Sequence, residues 1–139
     1  MIVNICDTTI LCRNQKSHNE FRTEAKLWLK TNLLNSICLN TETGYEIFIN
    51  NTFIEKVTHK FGDVKAHSFT SIPNIIKNAV FVSSEDDNRN RADITKVLKF
   101  ESLIQVDNIQ YEVWIYVRQT RTQLNLYSLN VNINIQKTL

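Results

Sequence analysis

At 139 residues the chain is long enough for one domain with a real core and leaves little room for a second. Its formal net charge of +2 is too small for a general polyanion binder, so any nucleic-acid contact has to come from local clustering. No apolar run approaches the ~20 residues of a membrane-spanning helix, which implies a protein without a membrane partner.

The start, "MIVNICDTTILC", has no basic region or small-residue cleavage site, and Leu11 before Cys12 argues against a lipidation signal. Nothing there directs secretion, so a cytoplasmic location is expected. Cys6, Cys12 and Cys38 are odd in number and lie among apolar neighbours, as in a reducing compartment. Cys6, Cys12 and His18 are spaced six apart, whereas zinc sites draw on tighter pairs, so no metal and no cofactor is expected.

"SHNEFRTEAKLWLKTNLLNSICL" opens with Ser17 and Glu20 in capping-box spacing. Phe21, Ala25, Trp28, Leu29 and Leu33 then recur at helical period, which predicts a helix; His18, inside the box, reads as structural. After Gly44, Tyr45, Ile47 and Ile49 alternate with Glu46, Phe48 and Asn50 as in a strand.

"IEKVTHKFGDVKAHSFTS" follows, with His59, His67, Lys56, Lys60 and Lys65 close together. Read as a strand, Lys56, Thr58 and Lys60 share one face and Val57, His59 and Phe61 the other. Lys56 and His59 then cooperate only if a turn near Gly62 or a bulge intervenes. "SIPNIIKNAVF" carries Pro73 in a first-turn position and an apolar face of Ile72, Ile75, Ile76 and Ala79, a short second helix. "SSEDDN", Ser83 to Asn88, reads as a solvated acidic turn. From Lys56 to Lys99 there are eight Lys or Arg and two His, the local cluster that the low net charge requires.

From near Lys96 the period becomes two and an antiparallel sheet is expected. Asp107 and Asn108 suit the left-handed positions of a tight hairpin turn. In the last run Leu124 and Leu126 are even while Leu129, Val131, Ile133 and Ile135 are odd, so one inserted residue, a bulge, is expected near Tyr127 or Ser128. The whole reads as an α+β domain: an N-terminal helix and a short second helix on one face of a twisted antiparallel sheet. It is taken as a single domain over 1–139, with a helical part at 1–43 and a core at 44–131.

The segments "GYEIFINNTFIEKVTHK", "KAHSFTSIPNIIKNAVFV", "KVLKFESLIQVDNIQYEVWIYVRQT" and "LNLYSLNV" resemble, in their order, the barnase, EndoU, colicin and RelE ribonuclease superfamily. The likeness is to its domains in polyvalent proteins of phages and conjugative elements, and residues 1–43 lie outside it. In that group a strand leads to a Lys-bearing segment and a hairpin ends in a basic residue with a later Tyr. Where many relatives carry a histidine or aromatic pair entering the hairpin, this chain has Lys96, Lys99 and Phe100.

The resemblance implies a metal-independent ribonuclease of toxin or phage-effector type, or an inactive module of the same fold that binds RNA, DNA or protein. RNA would be the partner, with a protein inhibitor or immunity partner for a toxin, and the domain could be delivered into a bacterial host or target cell.

Cleavage by 2′-hydroxyl attack needs a base, an acid and cations for the charge growing on phosphate. His59 and His67 can serve as acid or base near neutrality. Lys56, Arg118 and Tyr127 complete the catalytic set, Arg118 for bidentate phosphate contact and Tyr127 as hydrogen-bond donor or base stack. Lys60, Lys65, Lys96 and Lys99 are the substrate-binding cations. Taken singly, His59 reads equally well as a surface or half-buried residue, His67 as one that merely precedes a helix, and Arg118 with Tyr127 as a cross-strand packing pair. With only Gly44 and Gly62 in the chain, glycine-loop nucleotide enzymes are excluded. If Arg118 and Tyr127 lie on the open sheet face, the loop through His59 and His67 must cross its rim for a site to exist.

Overall fold

The computed structural model describes residues 2–87 and 94–133. Its elements in chain order are β1 (Ile2–Ile5), α1 (His18–Asn32), β2 (Ile37–Leu39), β3 (Glu46–Phe48), α2 (Asn51–Val57), α3 (Asp63–Phe69), α4 (Ile72–Asn78), β4 (Val80–Asp86), β5 (Lys96–Val106), β6 (Ile109–Gln119) and β7 (Leu124–Ile133).

The capping box forms, with Ser17 Oγ accepting from the Glu20 amide at 3.2 Å and donating to its carboxylate at 3.1 Å. Phe21, Ala25 and Leu29 are the buried stripe of α1. Pro73 stands in the first turn of α4, as expected.

Between β3 and α4 the chain departs from the strand reading and makes two short helices. Asn50 ends the extended run by turning its side chain onto the Phe53 amide at 3.0 Å, an N-cap that starts α2. Phe53, Ile54 and Val57 are buried at helical spacing. Gly62 then caps α3, with Asp63 in its first turn. Neither helix is long enough to persist alone, so both depend on packing against the rest of the fold.

Among the described residues the sheet has seven strands in the order β1-β5-β6-β7-β3-β2, with β4 also on β5. The fold is α+β as expected, but the sheet is mixed: β1 runs parallel to β5 and β3 parallel to β7, while the other pairs are antiparallel. Parallel pairing follows from connectivity, because β1 and β3 reach their partners across intervening helices and not through a hairpin. Ser83–Asp86, read as part of a turn, belong to β4 and pair with Lys96–Lys99; Asn88 lies outside the described residues.

Asp107 and Asn108 take φ of 51° and 68°, the left-handed pair that a two-residue turn between β5 and β6 requires. The predicted bulge also forms. Tyr116 faces Ser128 and Val117 faces Leu126, so Tyr127 is the inserted residue.

One face of β5 and β6, with Leu98, Phe100, Ile104, Val113, Ile115 and Val117, joins the helices' apolar residues in a single buried cluster reaching from Val3 to Leu129. The other face, with Lys99, Glu101, Trp114, Tyr116 and Arg118, stays partly exposed. Among the described residues no helix is long and apolar enough to cross a membrane.

Buried Asn40 closes this core at one end, donating to the Ile76 and Ala79 carbonyls at 2.8 and 2.9 Å while accepting from Thr43. Asn40→Ala is expected to lower stability by about 2–3 kcal/mol, since it strands buried carbonyl lone pairs. Urea unfolding measures this, and a shift of the midpoint too small to resolve would contradict it.

Candidate functional site

At the bulge, the Tyr127 ring receives two cations. The Arg118 guanidinium carbon lies 3.2 Å from the ring centroid and the Lys56 ammonium 3.3 Å from it. Arg118 arrives from the partly exposed face of β6, where it pairs in register with Asn125. Lys56 arrives from the last turn of α2, which packs on β7 beyond the short β3 pairing. The inserted residue thus brings a sheet-borne and a helix-borne cation no farther apart than the sum of those two distances.

Lys56 and His59 meet across the C-terminal end of α2. Thr52, Glu55, Lys56, His59 and Lys60 recur three and four apart and line an open groove of about 540 Å³. His59 donates its backbone N–H to the Lys56 carbonyl at 3.2 Å just past the helix end, and its side chain is exposed. Thr52 also lines a smaller cleft of about 130 Å³ that includes Asn50, Arg118, Asn125 and Tyr127. The two hollows therefore adjoin across the start of α2.

Lys65 on α3 is half-buried. Burial first, and the nearby charge of Lys56 second, push its ammonium below the ordinary lysine range. Among the described residues Lys56 forms no ion pair. Holding like charges together in this way is costly unless an anion joins them. The sign for Lys65 follows: its charged form is disfavoured in the folded state, so it lowers stability at neutral pH, and the cost fades as pH rises through its depressed pKa. Lys65→Met is expected to be more stable than the parent at about pH 7 and to lose that advantage by about pH 10.5. Urea titrations at both values test this, and an advantage that grew with pH would contradict it.

Two further contacts fix the frame. Glu55, beside Lys56, accepts from Lys26 at 2.8 Å and lies 3.5 Å from Lys30, tying α2 to α1. The hydrogen bond from Lys26 is the main cause holding the Glu55 carboxyl below the usual range. Phe61 stacks among Phe21, Phe69 and His18, so His18 has the structural place expected of it.

The remaining residues fall elsewhere. His67 lies within the helix layer, 8% exposed, with Nδ1 buried and unpartnered. It is two residues from Lys65, hence about 200° around α3 from it. Lys99 sits over Trp114, 4.2 Å from the ring centroid, and 5.9 Å from the centroid of the Tyr116 ring, on the open sheet face. Lys96 is exposed at the start of β5, between Asp86 and Gln119 in register. Lys56, Arg118 and Tyr127 are therefore brought together, with Lys65, His59 and Lys60 around them. Lys96 and Lys99 lie on the neighbouring strand β5, one and two residues from Val97, which is the register partner of Arg118. Among the described residues no group of three His, Cys, Asp or Glu could hold a metal ion.

Asn50 is the contributor that the strand reading overlooked. Its side chain sets where α2 begins and so which way Lys56 points, and the signal was an Asn three residues before a buried Phe.

The model of the family described as large polyvalent protein-associated domain 3 matches residues 16–127. The match starts ahead of α1 and ends on Tyr127, so it takes in α1 to α4, β2 to β6 and the first residues of β7, and leaves β1 outside. No curated protein and no solved structure matches the chain. A match of this extent places the chain in the large polyvalent protein-associated domain 3 family.

Proposed function

We propose that this domain is a metal-independent endoribonuclease of toxin or phage-effector type, acting in the cytoplasm of the cell that makes or receives it. The observation that carries the reading is the convergence of Lys56 and Arg118 on the Tyr127 ring. A cross-strand packing pair would account for Arg118 on Tyr127; it gives no reason for a second cation from a separate helix. A phosphodiester does, because the negative charge that grows on it in the transition state is stabilised by cations fixed in advance.

In this mechanism the 2′-hydroxyl oxygen attacks the adjacent phosphorus and the bond to the 5′ oxygen breaks, leaving a 2′,3′-cyclic phosphate and a 5′-hydroxyl. The attacking hydroxyl gives its proton to a base, and an acid returns one to the departing oxygen. His59, on the groove next to Lys56, takes the 2′-hydroxyl proton as base and solvent water supplies the proton to the departing 5′ oxygen, while Arg118 grips the non-bridging oxygens and the Tyr127 hydroxyl donates to the phosphate. Lys60 and Lys65 hold the flanking backbone. An immunity protein is the partner expected of a toxin.

A second reading, an inactive module that retains RNA, DNA or a protein partner, is favoured by the burial of His67, which leaves one histidine at the groove. Incubating the purified domain with total RNA and a chelator separates the two. Cleavage that falls at least tenfold in His59→Ala supports the ribonuclease. RNA retention that weakens steeply with salt, without cleavage at any dose, supports the module.

A further inference from the structure

Along β6, Tyr116 and Arg118 project from the same face, separated by two residues or about 6.7 Å. Lys99 pairs with Tyr116 in the β5–β6 register, and its ammonium is held over Trp114. Next to the phosphate cluster there is thus a half-exposed aromatic ring with a seated cation beside it. We infer that Tyr116 and Lys99 form a nucleotide subsite continuous with the phosphate site, in which one base of single-stranded RNA stacks on Tyr116 and the next phosphate meets Lys99.

The occupant follows from the charges on this face. Arg118 and Lys99 bracket Tyr116, which suits a strand with alternating rings and anions. Beyond Trp114 the face turns acidic, with Glu101 opposite Trp114 and Glu112 two residues along. A polyanion is repelled there, so the subsite takes one nucleotide and the strand leaves the sheet. Interspersed charges break the aromatic surface into pieces too small for an apolar protein interface. Trp114 supports the ammonium and does not itself receive a base. Lys99, opposite Tyr116 and two residues from the partner of Arg118, thereby acquires a role.

The inference deepens the RNA reading, and its test is separable from the test of cleavage. Binding of a hexamer in which every 2′-hydroxyl is methylated, which cannot be cleaved by 2′-hydroxyl attack, is measured by fluorescence anisotropy. Tyr116→Leu keeps apolar bulk for the sheet but lacks a ring; it is expected to weaken binding about tenfold, with Tyr116→Phe close to the parent. Lys99→Met is expected to weaken binding and to reduce the slope of log affinity against log salt by about one. A hexamer carrying an abasic residue at the stacked position should bind parent and Tyr116→Leu alike. Urea midpoints of the three variants near that of the parent show that the sheet is intact. Equal hexamer affinity in Tyr116→Leu and parent, or a loss no greater for the intact hexamer than for the abasic one, overturns the subsite whether or not the domain cleaves RNA. Failure of the parent to bind the hexamer also overturns it, and self-association through this face in its place would point to a second copy as occupant. Normal subsite behaviour with unmodified RNA left uncut would retain the subsite and reject the nuclease.

Discussion

On the proposed ribonuclease reading, Arg118→Ala is expected to cut the rate of RNA cleavage at saturating substrate by about 100- to 1000-fold, the usual loss when one donor to a developing oxyanion is removed. The effect falls on the rate because the charge on the non-bridging oxygens grows only as the 2′-oxygen attacks. Arg118 lies on the half-exposed face, with the core carried by its neighbour Val117, so truncation leaves the packed side of β6 untouched. Arg118→Lys should recover only part of the rate, since a point charge cannot grip two oxygens at once. Rates for RNA cleavage by parent and both variants, beside their urea midpoints, decide it. An unchanged rate in a folded Arg118→Ala protein would remove the arginine from the phosphate.

Phe53→Ala should lower stability by about 3–5 kcal/mol, the cost of deleting a fully buried aromatic ring. Phe53 is 1% exposed and is the largest side chain on the buried face of α2. A domain of this size has about 5–15 kcal/mol of net stability, so the variant would be marginal. Seven residues of helix do not hold themselves together in water, and without Phe53 the segment bearing Lys56 loses its seat on β7. Cleavage should therefore be lost at temperatures where the remainder of the fold survives, visible as loss of activity below the main thermal transition. A Phe53→Ala protein with parental stability would show that α2 is held by something other than its apolar face.

Elements defined by local chemistry could be read from the chain. The Ser17 box, the Asp107–Asn108 turn and the phase slip that puts Tyr127 in a bulge all depend on neighbours in sequence, and each forms. Arg118 and Tyr127 could be placed together because strand alternation and one inserted residue suffice to do so. The parallel pairings of β1 and β3 could not, since four- and three-residue strands choose partners far along the chain. The helices α2 and α3 were hidden because "FIEKV" and "AHSF" suit a short strand or a helix equally. The Asn50 cap settles the matter only when it is weighed against the preceding strand. Once that helix is in place, Lys56 in its last turn and His59 in the turn just after it line one groove.

The most direct test of the proposed phosphate site is the chemistry of the cut ends. A single-stranded RNA is incubated with the domain in excess chelator, beside the same RNA with one 2′-deoxy residue at the cleaved position, and the products are resolved by mass spectrometry. The Lys56–Tyr127–Arg118 site predicts a 2′,3′-cyclic phosphate on one product and a 5′-hydroxyl on the other, with no cut at the deoxy position. Cleavage only when a divalent metal is supplied, leaving 5′-phosphate ends and ignoring the deoxy substitution, would contradict it.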